Sequence, residues 1–521
     1  VGQRLGSWKE IAAYLERDVR TVQRWARDRR LPVHRLPGGP RPRVFSLRPE
    51  LDAWLQGGPS RPRPPDEATS VAVLPFLNLT GAPEGEWFGD GLADDVINAL
   101  VHVPGLRVTA RTSSFAFAGQ RRDVRKIGAR LNASWLLEGS VRRHGERVRV
   151  SAQLVSARDG CHAWSESYDR RLTDVLGVQD DIAHSIALAL QVTLSPGPPA
   201  PRPAGDLAAY HLWTKGRSYS QQFTGEAFGK ARRCFEAALA LDPRFARAHH
   251  ALAELLFYGA QFGLSPAPDE VSRVRQEVVR AVELDPHLGE AHALLGVVQG
   301  HLGYEWGEAE ASFARALELC PGSAAVLSQH AWYHLVPRMR IDEALAEAQQ
   351  AAALDPLSPF VRGRHGLVLV AARQYARAAG ECRRALQLAN GLWWLHWFYG
   401  TALLLQGRTG PGVRRMRMVY EKVHQPLVVG GMALVYGLFD TRGKARQMLA
   451  ELEAMARRGY VPPAAFALAY VGLGDDRAFE WFGKAIDARD PIATHLPFMP
   501  LYDGLRKDPR FRVLLAKMNL V

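Results

Sequence analysis

A chain of 521 residues with 47% hydrophobic and 23% charged residues has room for several domains of ordinary globular composition. Its net charge of +13 is concentrated at the front, where residues 1–65 hold 14 Lys/Arg against 6 Asp/Glu, a net +8; this excludes a uniformly basic protein and fits one nucleic-acid-binding module. No apolar run reaches the roughly 18 residues of a membrane span, Cys161, Cys234, Cys320 and Cys382 are too scattered for a zinc knuckle or a CxxC pair, and no basic-plus-apolar leader follows Val1, so the expectation is a reduced protein of a bacterial-type cytoplasm with no membrane contact.

The first elements form a small module over residues 1–56. Trp8–Leu15 reads as a helix with Ile11, Ala12 and Leu15 on one face, and Glu16-Arg17-Asp18 as a tight turn. Asp18 can cap a second helix that runs to Arg27. Val22, Trp25 and Ala26 would pack on the first helix, leaving Arg20, Thr21, Gln23, Arg24 and Arg27 outward. Arginine can donate twice to guanine and glutamine can pair with adenine in the major groove. Leu31–Leu36 and Arg43–Leu47 read as wing strands around a Pro37–Pro42 turn, with Arg41 and Arg43 at the tip, and a helix over Pro49–Leu55 closes the module.

Four stretches carry a resemblance: Ser7-Trp8-Lys9-Glu10-Ile11-Ala12, Arg20-Thr21-Val22-Gln23-Arg24-Trp25, Leu31-Pro32-Val33-His34-Arg35-Leu36 and Glu50-Leu51-Asp52-Ala53-Trp54-Leu55. Together they resemble a winged helix-turn-helix of the MerR/excisionase type, which implies double-stranded DNA as partner. One departure is Glu16-Arg17, where such turns carry glycine. The plainer alternative is a helical module whose arginines are only solvated.

A Pro/Arg-rich linker, 57–69, leads to an α/β sandwich domain, 70–195. Ser70–Phe76 is a strand, Trp87–Val103 a helix, Leu106–Thr109 a strand and Val124–Leu131 a helix. A hairpin turning at His144-Gly145 follows, with Val148, Val150, Ala152 and Leu154 alternating against Arg149, Ser151 and Gln153. A strand over Gly160–Arg170 and a helix over Asp174–Gln191 complete the order βαβαβββα. The motifs Val71-Ala72-Val73-Leu74-Pro75-Phe76, Gly89-Asp90-Gly91-Leu92, Arg111-Thr112-Ser113-Ser114-Phe115 and Leu137-Glu138-Gly139-Ser140-Val141-Arg142 resemble the TolB amino-terminal-like domain, which implies a sensory or assembly module. Asp90, Asp94 and Asp95 could hold a metal or do acid–base work; favourable placement of acids in the first turns of a helix is the preferred account. Arg111–Ser114 could cradle an anion or simply cap a loop. With no catalytic, cofactor or metal motif in the chain, no enzyme activity is expected.

After a second Pro-rich linker, 196–204, residues 205–521 repeat. The unit Ala-x3-Phe-x2-Ala-Leu-x-Leu-Asp-Pro recurs, its last residue falling at Pro243, Pro286, Pro321, Pro356 and Asn390, spacings of 43, 35, 35 and 34. That period resembles the tetratricopeptide (TPR) repeat and implies an all-α superhelix with a protein-binding groove. The longest step absorbs an insertion around Pro266-Ala267-Pro268, and a helix over Val513–Met518 serves as a cap. His249, His250, His292, His330 and His334 invite a metal reading, but His249 and His292 each fall six residues after a repeat proline, so repeat geometry explains them better. Trp393, Trp394 and Trp397 read as core, with interface anchors as the alternative.

The multidomain fold expected is thus a winged helix-turn-helix, an α/β sandwich and a TPR superhelix. The main functional reading is a DNA-binding transcriptional regulator that recruits a protein through its TPR groove, with a homodimer or array raising avidity. The alternative is a TPR scaffold or adaptor in a signalling complex that does not bind DNA.

Overall fold

The computed structural model describes residues 4–5, 7–15, 17–22, 33–35, 44–47, 69–79, 84–101, 103, 106–117, 123–144, 147–171, 185, 206–263 and 270–521. They belong to two compact units, Val1–Ala68 and Thr69–Val521. The expected wing turn, the helix over Pro49–Leu55, nearly all of both linkers, the insertion at Pro266–Pro268 and, Ser185 aside, the helix over Asp174–Gln191 lie outside the described residues.

In the first unit, strand β1 (Arg4–Leu5) precedes helix α1 (Trp8–Tyr14), and β2 (His34–Arg35) and β3 (Val44–Leu47) complete a sheet of order β1-β3-β2, all antiparallel. Ser7 caps α1: its hydroxyl accepts from the Glu10 N–H at 3.2 Å and donates to the Glu10 carboxylate at 2.9 Å. Helix resumes at residues 19–22. Asp18 caps it as expected, accepting from the Thr21 N–H at 2.9 Å. Ile11, Ala12 and Leu15 pack with Leu5 and Val22. Trp25 and Ala26 lie outside the described residues.

The second unit begins with a mixed sheet. Strands β4 (Thr69–Val73) and β5 (Leu77–Asn78) precede helix α2 (Glu84–Val101), then come β6 (Leu106–Val108), the short helix α3 (Arg111–Phe115), α4 (Val124–Leu131), β7 (Trp135–His144), β8 (Arg147–Ser156) and β9 (His162–Arg171). The order is β6-β4-β7-β8-β9, with β5 beside β7; β4 runs parallel to β6 and β7, and β7, β8 and β9 are antiparallel. Hairpin pairing reaches His144↔Arg147, so His144, expected in the turn, is still paired in β7, and Gly145 lies outside the described residues. Alternation decides the faces: Val71, Val73, Leu137, Val150 and Leu154 pack with Leu92, Val96 and Leu100 of α2. Ala72, Leu74 and Leu136 pack with Ile127 and Leu131 of α4. Burying a Leu or Val fully is worth about 1.5–3 kcal/mol.

Eight helix pairs follow among the described residues: α5 (Leu207–Ser220) with α6 (Gly225–Leu241), α7 (Ala246–Gln261) with α8 (Glu270–Leu284), α9 (Gly289–Val297) with α10 (Trp306–Leu319), α11 (Ala324–His330) with α12 (Ile341–Leu354), α13 (Pro359–Ala371) with α14 (Tyr375–Leu388), α15 (Trp393–Leu405) with α16 (Thr409–Lys422), α17 (Pro426–Phe439) with α18 (Arg442–Ala456), and α19 (Pro463–Leu473) with α20 (Arg477–Asp487). The repeat stripe lies on the second helix of each pair: Ala231, Phe235 and Ala238, then Ala309, Phe313 and Ala316, and finally Ala478, Phe482 and Ala485, are all buried. A last helix, α21 (Pro509–Lys517), begins four residues earlier than expected because Asp508 caps it, accepting from the Arg510 N–H at 2.8 Å. No helix of the described residues is long and apolar enough to cross a membrane.

Repeat stacks usually touch only their neighbours. This one also bonds to itself across its length. The Trp306 indole N–H donates to the Met518 carbonyl at 2.7 Å, Tyr304 donates to Ile486 at 3.3 Å, and His301 Nε2 lies 2.9 Å from Thr494 Oγ1. Arg373 pairs with Asp503 at 2.7 Å, and Gln425 donates to the Phe262 carbonyl at 3.0 Å. The C-terminal 3-10 segments Pro491–His495 and Pro500–Leu505 are thereby folded against the inner side of the stack.

Candidate functional site

Of the residues expected to face DNA, two are described. Arg20 is exposed. Thr21 is half-buried, and its hydroxyl donates to Asp18 at 2.6 Å, so it serves the cap. Gln23, Arg24, Arg27, Arg41 and Arg43 lie outside the described residues. Within the turn, Leu15 ends α1 at φ −87° and the Arg17 N–H bonds the Ala12 carbonyl at 3.0 Å. Asp18→Ala is expected to loosen the start of the second helix, read as faster hydrogen exchange at residues 19–22.

The acidic cluster has a different cause from the one expected. Helix α2 starts at Glu84, so Asp94 and Asp95 are mid-helix and the dipole does not favour them. Both are buried and turned onto the first helix pairs. Asp94 pairs with Arg217 of α5 and, at 3.5 Å, with Arg111 of α3. Asp95 pairs with Arg247 of α7 and accepts from the Tyr210 hydroxyl at 2.7 Å. Trp213 lies between the two guanidiniums, 5.0 Å from Arg217 and 5.9 Å from Arg247. Burial pushes the Asp94 carboxyl up, and Arg217, Arg111 and Arg247 more than offset it, so its pKa falls below the ordinary value. Burial also pushes Asp95 up, and there Arg247 and Tyr210 do not fully offset it. Sequence reasoning missed Tyr210, Arg217 and Arg247; the spacing of Tyr210, Trp213 and Arg217 on one face of α5 was the available signal.

The remaining motif residues do related work. Arg111–Phe115 is a helix rather than an anion-holding loop. Its buried Ser113 donates to Asp355, between α12 and α13, and accepts from the Leu357 N–H at 2.7 Å. A Cβ on Gly89 would stand 2.5 Å from the Phe76 carbonyl oxygen, and one on Gly91 would stand 2.5 Å from the Tyr210 hydroxyl. The glycines of Gly89-Asp90-Gly91 therefore let α2 approach the sheet on one side and α5 on the other. Burial raises the Asp355 pKa to about 6. A folded-state pKa above the ordinary 3.8 means that this group's stability contribution falls as pH rises between those values. Asp355→Asn is expected to gain about 2 kcal/mol over the parent at pH 7 and nothing near pH 4, measured by urea denaturation at both.

Two of the candidate histidines close turns, while His330 and His334 lie against Glu347 and Glu310 at 2.8 and 2.9 Å. His249 Nε2 lies 3.1 Å from the Pro243 carbonyl and His292 Nε2 3.0 Å from that of Pro286. Arg362 and His396 repeat the contact at Pro356 and Asn390, at 2.6 and 2.8 Å. No three potential metal ligands group together among the described residues.

The tryptophans do more than fill core. Trp393, Trp394 and Trp397 line a largely apolar cavity of about 160 Å³ on the inner side of the stack. Tyr258, Phe262, Tyr333, Phe360 and Arg364 line it too, and His495, Met499 and Tyr502 of the C-terminal segment close one side. Here α11 continues as a π-helical turn, Ala331–Leu335, which places Trp332 and Tyr333 on the cavity wall.

No family model matches the chain. A Rhizobium meliloti (strain 1021) protein named "Putative adenylate cyclase 3" is 42% identical over 187 residues, 35% of this chain; the chain spans about a third (32%) of that curated relative. Among solved structures, Pseudomonas aeruginosa pilF is 21% identical with a TM-score of 0.30, covering 40% of this chain and 91% of that one. The human IFIT1 dimer with PPP-AAAA is 17% identical with a TM-score of 0.42, covering 61% and 79%. A tetratricopeptide repeat protein from Parabacteroides merdae is 15% identical with a TM-score of 0.34, covering 52% and 98%. At these TM-scores, the assignment of a TPR-type helix stack rests on the chain's own period and packing.

Proposed function

We propose that this chain is a protein-interaction adaptor in which the sheet region and the helix pairs act as one body. The observation that carries this reading is the use made of the motif residues: Asp94, Asp95, Arg111 and Ser113 are engaged by Arg217, Arg247, Tyr210 and Asp355 of the repeats. Buried carboxylates paired with part-buried guanidiniums are committed to docking rather than to chemistry. We therefore read residues 70–195 as a cap on the repeats, accessory rather than catalytic. Cross-linking mass spectrometry on the full chain in its own cells tests the adaptor reading. Near-stoichiometric recovery of a protein partner with cross-links on residues 206–521 is expected. Recovery that disappears with nuclease, or cross-links confined to residues 1–68, would overturn it.

One observation favours a second reading, DNA binding by the front module through Arg20, Thr21, Gln23, Arg24, Arg27, Arg41 and Arg43. The capped second helix packs Val22 against Ile11 and leaves Arg20 exposed, within a segment of net charge +8. On that reading the full chain binds duplex DNA with an affinity that falls steeply with salt, and Arg24→Ala weakens it. Unchanged duplex mobility in dilute buffer removes this reading.

A further inference from the structure

The cavity inside the stack holds an arginine, Arg364, that is bonded to phenols and has no direct ion-pair partner. Among the described residues, no carboxylate lies within 4.0 Å of the Arg364 guanidinium. One of its N–H groups donates to the Tyr258 hydroxyl, and the cation sits 5.7 and 5.4 Å from the Tyr258 and Tyr333 ring centres. Burial works against this charge, and the two phenols and Glu254 more than offset it, so its pKa lies above the ordinary value. Burial also holds both phenols protonated, so Glu254, beyond ion-pair reach, is the negative charge acting on Arg364.

The other polar groups of the wall also want an acceptor. The indole N–H groups of Trp393 and Trp394 are buried with no hydrogen-bond partner, in a structure where most buried donors are satisfied. His495 is held neutral, its pKa pushed down to about 4 by burial. The rest of the wall is aromatic and aliphatic: Phe262, Phe360 and Leu434 face the same space. A guest suited to these groups has a compact apolar body, one anionic acceptor and few donors. The C-terminal segment across one side favours a free small molecule over a threaded peptide.

We propose that this cavity binds a small monocarboxylic acid with an aromatic or branched aliphatic body, its carboxylate paired with Arg364. The proposal does not depend on whether the chain engages a protein partner or DNA. Two N–H groups of one face of a guanidinium match the two oxygens of a carboxylate, and the ring stack takes the apolar body.

The test is a calorimetric titration of the full chain with phenylacetate, indole-3-acetate and 4-methylpentanoate, each against its primary amide, which has similar shape and no charge. Tryptophan fluorescence is followed in parallel, since four tryptophans line the space. At least one acid is expected to bind at least tenfold tighter than its amide, with a change in fluorescence. Arg364→Gln should abolish that preference and Arg364→Lys should keep part of it. If no acid binds at millimolar concentration, or acid and amide bind the unaltered chain equally, the proposal fails whatever the variants do. A preference that survives intact in a folded Arg364→Gln chain places the acid elsewhere and overturns it as well.

Discussion

Asp94→Ala is expected to cost the folded chain about 3–5 kcal/mol, one of the two largest losses predicted here for a single substitution. The substitution removes the carboxylate that pairs with both Arg111 and Arg217 and leaves two part-buried guanidiniums without it. Breaking one side of a buried pair costs far more than the pair itself is worth, because the abandoned charge stays desolvated. Hydrogen exchange should quicken first in α2 and α5, before the distal pairs respond. Adding Arg217→Met should recover part of the loss, because the charge left behind goes with it. If Asp94→Ala leaves exchange in α5 unchanged, the docking described above is not holding the sheet to the repeats. The pH dependence has a definite sign. Asp94, with its folded pKa lowered, contributes stability present above pH 3.8 and lost as pH falls through the folded value. Asp95, with its pKa raised, contributes the opposite slope.

Gly437→Ala is the second, with an expected cost of about 3 kcal/mol. Helices α17 and α19 approach backbone to backbone at this point: a Cβ on Gly437 would overlap the Gly472 carbonyl oxygen, and one on Gly472 would stand 2.5 Å from the Ala433 oxygen. Neither obstacle is a side chain that can rotate away, so the helices must separate. Gly380→Ala is the control. It lies within α14 with nothing inside 4 Å of its Cβ, and should gain about 0.5–1 kcal/mol from helix propensity alone. Thermal denaturation of the two variants side by side separates packing from propensity; equal effects would refute the close approach.

Local rules explain where the sequence was readable. The alternation of Val148, Val150, Ala152 and Leu154, the i, i+4, i+7 stripe of Ala231, Phe235 and Ala238, and the Asp18 cap each lie within a few residues and appear as read. The Ser7 cap is equally local, within Ser7-Trp8-Lys9-Glu10. The docking face had no such signature. Arg217 and Asp94 are 123 positions apart and Ser113 and Asp355 are 242 apart, so no period connects them. Helix α3, at five residues, is too short for helical periodicity to register. The bonds from Trp306 to Met518 and from Gln425 to Phe262 join repeats that a solenoid would keep apart, and a 34-residue period predicts only neighbours. The cavity follows from those long-range bonds, which is why Trp393 and Trp394 read as core.

Because Trp306, His301 and Arg373 hold the far end of the chain against the stack, the side of the cavity formed by His495, Met499 and Tyr502 is only as steady as those bonds. A guest that crosses that side waits on the same motion whether it enters or leaves. Loosening Arg373 from Asp503 would speed both together, shortening residence time while leaving the equilibrium constant nearly where it was.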